Sequence, residues 1–342
     1  MERWIRSLRD WVEIPSVTGA ENDYGDALGR ELVAKGLSVE RQPVAHAVAG
    51  RFNVLARGAG VPRVVFCTHL DTVPPWFGSR EDSEFVHGRG SCDAKGPAVA
   101  MLAAAERLLA AGEDRIGFLF TVGEETDSAG AQLANAALAE PWAPAFTIVG
   151  EPTENRFVGA HKGVFKAKLV AHGVAGHSSQ NVGPSAIHEL VHSVERLLAG
   201  SYGTHPLLGP GTLNIGTIQG GVAANVVADR AEASLLLRAV EPPDVSEGRV
   251  RGCLGAHVEL ELVMKNYGPT EFLVPRGETP MPVAFGTDAP HLKRWGTPLL
   301  YGPGRILDAH TDHERVSKRS LELAVATYEK TARELLARLD AS

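Results

Sequence analysis

Residues 65–72 read VFCTHLDT, an apolar run that ends on His69 with Asp71 two positions on. Side chains along a strand alternate faces with period two, so a histidine and an acid at this spacing point the same way. Three more apolar runs end in comparable chemistry: RIGFLFTVGEE on Glu124 and Glu125, AFTIVGEP on Glu151, and LLYGPGRILDAH on His310. Between them, the turn-rich HGRGSCDAKG places Asp93 just before a helix. One acidic strand end reads as a surface residue, but four ends from one sheet read as a site. Crowded buried carboxylates repel, and each needs a counter-charge or its pKa rises until it is neutral. No Lys or Arg cluster accompanies these ends, and a divalent metal pair would supply the charge directly.

Histidine and carboxylate ligands without thiolates suit zinc, or else manganese or cobalt. A second carboxylate behind a ligating histidine fixes its tautomer and ring orientation, which gives the His69–Asp71 spacing a meaning. The adjacent Glu124 and Glu125 point in different directions, so one is free to bind metal while the other moves a proton.

The elements that must position these residues alternate. The amphipathic N-terminus MERWIRSLRDWVEIPSVTG and the run NDYGDALGRELVAKGL read as helices, and GPAVAMLAAAERLLAAG as a strong one between Gly96–Pro97 and Gly112. The strands between them are apolar on both faces. That texture predicts an α/β fold with a mainly parallel sheet covered by helices on both faces, where sites gather beyond the carboxyl ends of the strands. From residue 161 the texture changes to alternating strands, such as VFKAKLVAHG, with one wet face. The reading is a discontinuous catalytic domain, 1–160 and 272–342, with an α+β sandwich inserted at 161–271. A final helix is expected from Ser317 to Leu339.

Composition narrows the class. The chain has 342 residues, 44% hydrophobic and 22% charged, with a formal net charge of −7 and no basic run. This gives no electrostatic case for nucleic acid. No stretch approaches the roughly 18 uninterrupted apolar residues of a membrane span, and the N-terminal run is too interleaved with charge for a signal peptide. Three scattered cysteines point to a reducing cytoplasm without disulfides. Cys67 reads as core, and Cys92 as packing rather than a nucleophile. GRGSCD lacks the spacing of a dinucleotide fingerprint. His87, His161, His188, His192 and His313 read as structural or surface residues.

In order along the chain, THLDTVP, GRGSCDAKG, VGEETDSAG, GEPT, AGHSSQ, GGVAANVVAD and YGPGRILDAHTDHE resemble one family of amidohydrolases. It is the M20 metallopeptidase group of acetylornithine deacetylases, succinyl-diaminopimelate desuccinylases, aminoacylases and carboxypeptidase G-type enzymes. The match runs from about residue 10 to residue 335. The resemblance implies two zinc ions, with cobalt or manganese as substitutes. His69 and Glu151 would hold the first, Glu125 and His310 the second, and Asp93 would bridge them, with Asp71 behind His69. Glu124 would be the general base for a metal-bridging water. In the inserted domain, His177 would stabilise the oxyanion, usually from the partner subunit of a homodimer formed through that domain. Asn225 would lie near the substrate and Arg238 would pair with its α-carboxylate, which suits arginine's planar fork. The chain departs from many relatives in having Leu237 before that arginine, and in a compact inserted domain.

These readings converge on a cytoplasmic zinc-dependent hydrolase of an N-acylated amino acid. N-acetylornithine-like deacetylation in arginine biosynthesis ranks first. Release of lysine or ornithine from an acidic amino-group carrier protein ranks second, and dipeptidase or carboxypeptidase G-type activity third. A metal-free protein that only binds amino-acid derivatives is the alternative of another class, and the complete ligand set stands against it.

Overall fold

A computed structural model describes residues 1–45 and 50–341. The chain divides into two compact units, Met1–Gly159 with Phe272–Met281 and Thr287–Ser342, and Ala160–Glu271 with Pro282–Gly286.

The first unit is built on a six-stranded sheet in the order Ser38–Pro43, Phe52–Arg57, Ile116–Thr121, Val64–His69, Phe146–Val149, Thr297–Leu300. The last four run parallel, and the first two add an antiparallel hairpin at one edge. Val64–His69, Ile116–Thr121 and Phe146–Val149 are buried at every position, so both faces of the sheet are covered. This is why their sequences are continuous apolar runs rather than alternating ones. The Lys95–Ala110 helix, rich in alanine and buried along most of its length, packs against the 23-residue C-terminal helix Lys318–Asp340. Phe66 lies between Phe118 and Tyr328, with ring centroids 5.7 and 5.9 Å away.

The parallel register sets the functional edge. His69 stands opposite Thr121, and Cys67 opposite Val149, so these strands end nearly level. Each then hands the chain within a few residues to Asp71, Glu124 and Glu125, or Glu151. The C-terminal helix starts one residue later than expected, because Ser317 serves as its N-cap and accepts the Ser320 N–H. Within GTDAPHLKRWG only a short 3-10 turn forms, Ala289–His291.

The second unit has a four-stranded antiparallel sheet in the order Thr212–Gly220, Arg230–Ala239, Gly163–His172, Val258–Leu262. Its apolar face packs under the Ala186–Ala199 helix and encloses Phe165, Leu169, Leu190, Leu235 and Leu237. Arg230–Ala239 buries every second residue, as one covered face demands.

Candidate metal centre

In the first unit, His69 and His310 approach one carboxylate from two sides. His69, 1% exposed, places Nε2 3.0 Å from Asp93 Oδ1 and 4.0 Å from Glu151 Oε1. His310 places its Nε2 3.3 Å from Asp93 Oδ2 and 3.0 Å from Glu125 Oε1. Asp93 therefore spends one oxygen on each histidine, with Glu151 toward one end of the set and Glu125 toward the other. Ligand atoms of His69, Asp93 and Glu125 lie within 4.8 Å of one another. His310 reaches this position with φ 62°, a left-handed backbone uncommon outside glycine.

Asp71 lies behind His69, but the close contact differs from the expected one. His69 Nδ1 is 2.9 Å from the Asp71 main-chain oxygen, whereas the Asp71 carboxylate is 3.6 Å away. That carboxylate turns instead to the next loop. Its Oδ1 accepts the N–H groups of Gly123 and Glu124, and its Oδ2 accepts those of Glu125 and the Thr18 hydroxyl. Strand alternation no longer governs Asp71, because the strand has already ended at His69. Burial opposes its charge, yet the contacts with His69, Thr18 and the Glu125 amide hold its pKa below the ordinary range.

The electrostatics are those of a site with too much negative charge. Burial, then the neighbouring Glu151, pushes Glu124 well above the usual carboxylate range. Burial and Asp93 do the same to Glu151, and Glu125 is raised in spite of His310. Asp93 goes the other way. Burial opposes its charge, but the hydrogen bonds from His310 and His69 outweigh it. Hydrogen bonds to Asp93 and Glu125 push His310 up to about 10. Nearby Lys95 is spent elsewhere, donating to the Trp11 and Ile14 carbonyls. Two imidazoles and four mutually repelling carboxylates fit a divalent cation pair, which would relieve the repulsion that protons relieve in its absence.

Residues 65–334 match the pattern of peptidase family M20/M25/M40. The chain belongs to that family. This M20 peptidase is 37% identical over 317 residues to a peptidase M20 domain-containing protein of Schizosaccharomyces pombe, covering 90% of this chain and 78% of the relative. It is 34% identical over 363 residues to a probable carboxypeptidase of Aspergillus terreus, covering 94% and 84%. Its fold resembles a tripeptidase of Staphylococcus aureus with a TM-score of 0.80 at 22% identity, covering 96% of each chain. As an M20 peptidase it is a hydrolase of amide or peptide bonds with a candidate metal site at His69, Asp93 and Glu125. No helix among the described residues is long and apolar enough to cross a membrane.

The second unit holds the other sequence-derived candidates in two separate places. His177 pairs with Val226, and the Ser178 N–H donates to the Asn225 carbonyl, so His177 and Asn225 share one exposed corner. The contacts of His177 are both on Nδ1, from Ser179 Oγ at 2.8 Å and Ser179 N at 3.2 Å. Arg238 sits at the opposite end of the sheet, beside Val164, while Arg230 pairs with His172 near that corner. Eight residues of extended strand separate the two ends, roughly 27 Å.

Sequence reasoning passed over Lys162, Asp288 and Glu314. Lys162 is buried and has its pKa lowered by burial and by the positive charge of Arg238, and its Nζ donates to the Pro210 carbonyl at 2.5 Å. Neither Lys162 nor Arg238 has an acidic partner among the described residues. The AHKG stretch adjoining the change of texture was the available signal. Asp288 is pushed up to about 6 by burial and accepts the Thr121 hydroxyl at 2.6 Å, under the turn that carries Glu124. Cys92 is buried with its thiol pKa raised, in keeping with packing.

Proposed function

We propose that this M20 peptidase is a zinc-dependent exopeptidase that cleaves the amide bond preceding an amino acid with a free carboxylate. The observation that carries this reading is the Lys162–Arg238 pair, two neighbouring cations in the second unit with no acidic partner among the described residues. Neighbouring like charges repel, an anion would relieve that repulsion, and a guanidinium binds a carboxylate bidentately. The names of the fungal relatives support placing carboxypeptidase-type substrates first. N-acetylornithine-like deacetylation follows, since that substrate offers the same carboxylate beside a smaller acyl group. Release of lysine or ornithine from a carrier protein is a third member of the class.

His69 and Glu151 would hold one metal, His310 and Glu125 the other, and Asp93 would bridge them. When bound, the metals supply Lewis acidity to the scissile carbonyl and lower the pKa of the attacking water. Glu124, whose proton affinity is raised by burial, would act in its ionised form, taking the proton from that water and passing it to the leaving nitrogen. Arg238 and Lys162 hold the carboxylate of the departing amino acid. His177 donates from Nε2 to the developing oxyanion. His177 and Asn225 lie at the far end of the sheet from Arg238, which supports their serving the site of a second copy. The exposed Ile187, Val191 and Leu198 of the Ala186–Ala199 helix, with the outer strand Thr212–Gly220, offer that copy an apolar and hydrogen-bonding face.

A hydrolysis panel tests this. N-acetyl amino acids, N-blocked dipeptides, free dipeptides and tripeptides are each assayed beside their C-terminal amides, with zinc or cobalt. Cleavage should require the free carboxylate, and Arg238→Met should cut kcat/KM by about 10- to 100-fold, or 1.4–2.8 kcal/mol. Equal cleavage of the amides would rule out carboxylate recognition.

A further inference from the structure

The Asp93 turn is held by a carboxylate that arrives from more than two hundred residues later. Glu314, 0% exposed, directs Oε1 at three main-chain amides: Gly90 N at 2.9 Å, Cys92 N at 3.1 Å and Asp93 N at 3.1 Å. Its Oε2 accepts Arg89 Nη1 at 2.5 Å, and its own carbonyl accepts the Gly88 N–H at 3.0 Å. Arg89 is fixed in turn, with Nε donating to the Pro75 carbonyl and its guanidinium over the Phe77 ring. Residues 88–93 form no helix or strand, so these amides have no regular ladder to satisfy them. An ionised carboxylate is suited to the task because it is acceptor-only and takes several donors at once.

The consequence concerns alignment. Asp93 must present one oxygen to His69 and the other to His310, at 3.0 and 3.3 Å. A shift of its backbone would favour one histidine over the other. Glu314 also lies four residues after His310, so the residue that fixes the Asp93 turn anchors the segment delivering the second histidine.

We propose that Glu314 is a positioning residue for the metal centre, holding the Gly90–Asp93 amides so that both oxygens of Asp93 face their histidines together. The proposal rests on the reading of Asp93 as a bridging metal ligand. The alternative is a buried ion pair with Arg89 that contributes to stability alone.

The test uses the full chain, with wild type, Glu314→Gln and Arg89→Met compared below their unfolding midpoints. Zinc affinity is measured by competition with a chromogenic chelator, cobalt loading by visible absorption, and amide hydrogen exchange at residues 88–94 on metal-free protein. Glu314→Gln should lose about 10- to 100-fold in zinc affinity, alter the cobalt spectrum and speed exchange at Gly90, Cys92 and Asp93. Arg89→Met keeps the carboxylate on its amides and should bind zinc at least about tenfold more tightly than Glu314→Gln. If Glu314→Gln does not fold, Glu314→Asp, one methylene shorter, should show the same loss relative to Arg89→Met. Wild-type affinity and exchange in the Glu314 variant, with only its melting temperature lowered, overturn the proposal and leave the metal reading intact. Equal losses in the Glu314 and Arg89 variants also overturn it, assigning the effect to the ion pair. A wild type that takes up no zinc or cobalt removes the metal reading and the proposal together.

Discussion

Asp71 Oδ2 accepts the backbone N–H of Glu125 at 3.1 Å. With Oδ1 on the amides of Gly123 and Glu124, one buried carboxylate fixes the turn that carries both Glu124 and Glu125. Asp71→Asn preserves the shape but turns an amide NH2 toward donors. It should cost about 1–3 kcal/mol in denaturant unfolding through a buried polar group left unsatisfied. Metal affinity should fall about 10- to 100-fold, read by chelator competition. A variant with lowered stability and unchanged metal affinity would confine Asp71 to a folding role.

Glu124 and Glu125 are adjacent but face different neighbours. Glu125 contacts His310, whereas Glu124 is buried and lies under the negative charge of Glu151. Glu124→Gln should therefore retain both metals, measured by elemental analysis, while kcat falls by about 10²- to 10⁴-fold from loss of general-base catalysis. Glu125→Gln should lose metal instead. Near-normal turnover in Glu124→Gln would move the base elsewhere.

Which strand ends meet is legible in the sequence, because parallel strands buried on both faces leave acidic and histidine side chains only where they exit the core. His69, Glu124, Glu125 and Glu151 all follow that rule. Asp71 illustrates its limit. Period-two alternation holds within a strand, and Asp71 lies two residues past the strand end, so its carboxylate turned to amides that the spacing does not reveal. Glu314 is less legible still. In TDHERV it stands among charged neighbours and reads as a solvated residue, yet it is fully buried on a turn far away in the chain. Its meaning exists only once the 88–93 turn has folded against it. Lys162 was missed for a similar reason, since its partner in charge, Arg238, is brought close by strand pairing alone.

The roughly 27 Å of strand between the Arg238 end and the His177 end of the sheet makes a sharp expectation about assembly. A small substrate whose carboxylate is held by Arg238 would not touch His177, which lies on a separate two-stranded ladder beyond the far end of that sheet in the same chain. His177→Ala and Glu124→Gln proteins should each be nearly inactive. After confirmed subunit exchange, the mixture should recover up to about a quarter of wild-type activity, as half the dimers are mixed and each has one intact site. No recovery would place His177 in its own chain's site or outside catalysis.

The charge imbalance of the site predicts a pH dependence that bound metal would flatten. In the folded metal-free protein, hydrogen bonds to Asp93 and Glu125 push His310 up to about 10, from an ordinary value of 6.5. A folded state that holds a proton more tightly gains stability below the unfolded pKa and loses it as pH rises through the folded one. Glu124, Glu151 and Glu125, raised chiefly by burial and then by one another's charge or that of Asp93, act in the same sense. The depressed Asp93 acts oppositely, but only in acid, as pH falls below its ordinary value. Chelator-treated protein should therefore unfold at progressively lower urea as pH rises from about 6.5 to about 10. Bound cations take over the role of those protons, so the zinc-loaded protein should show a flatter profile over the same window. Urea midpoints at several pH values, with and without chelator, measure both slopes. Parallel profiles would mean that the carboxylates are not relieved by metal, and the assignment of the centre would fall with them.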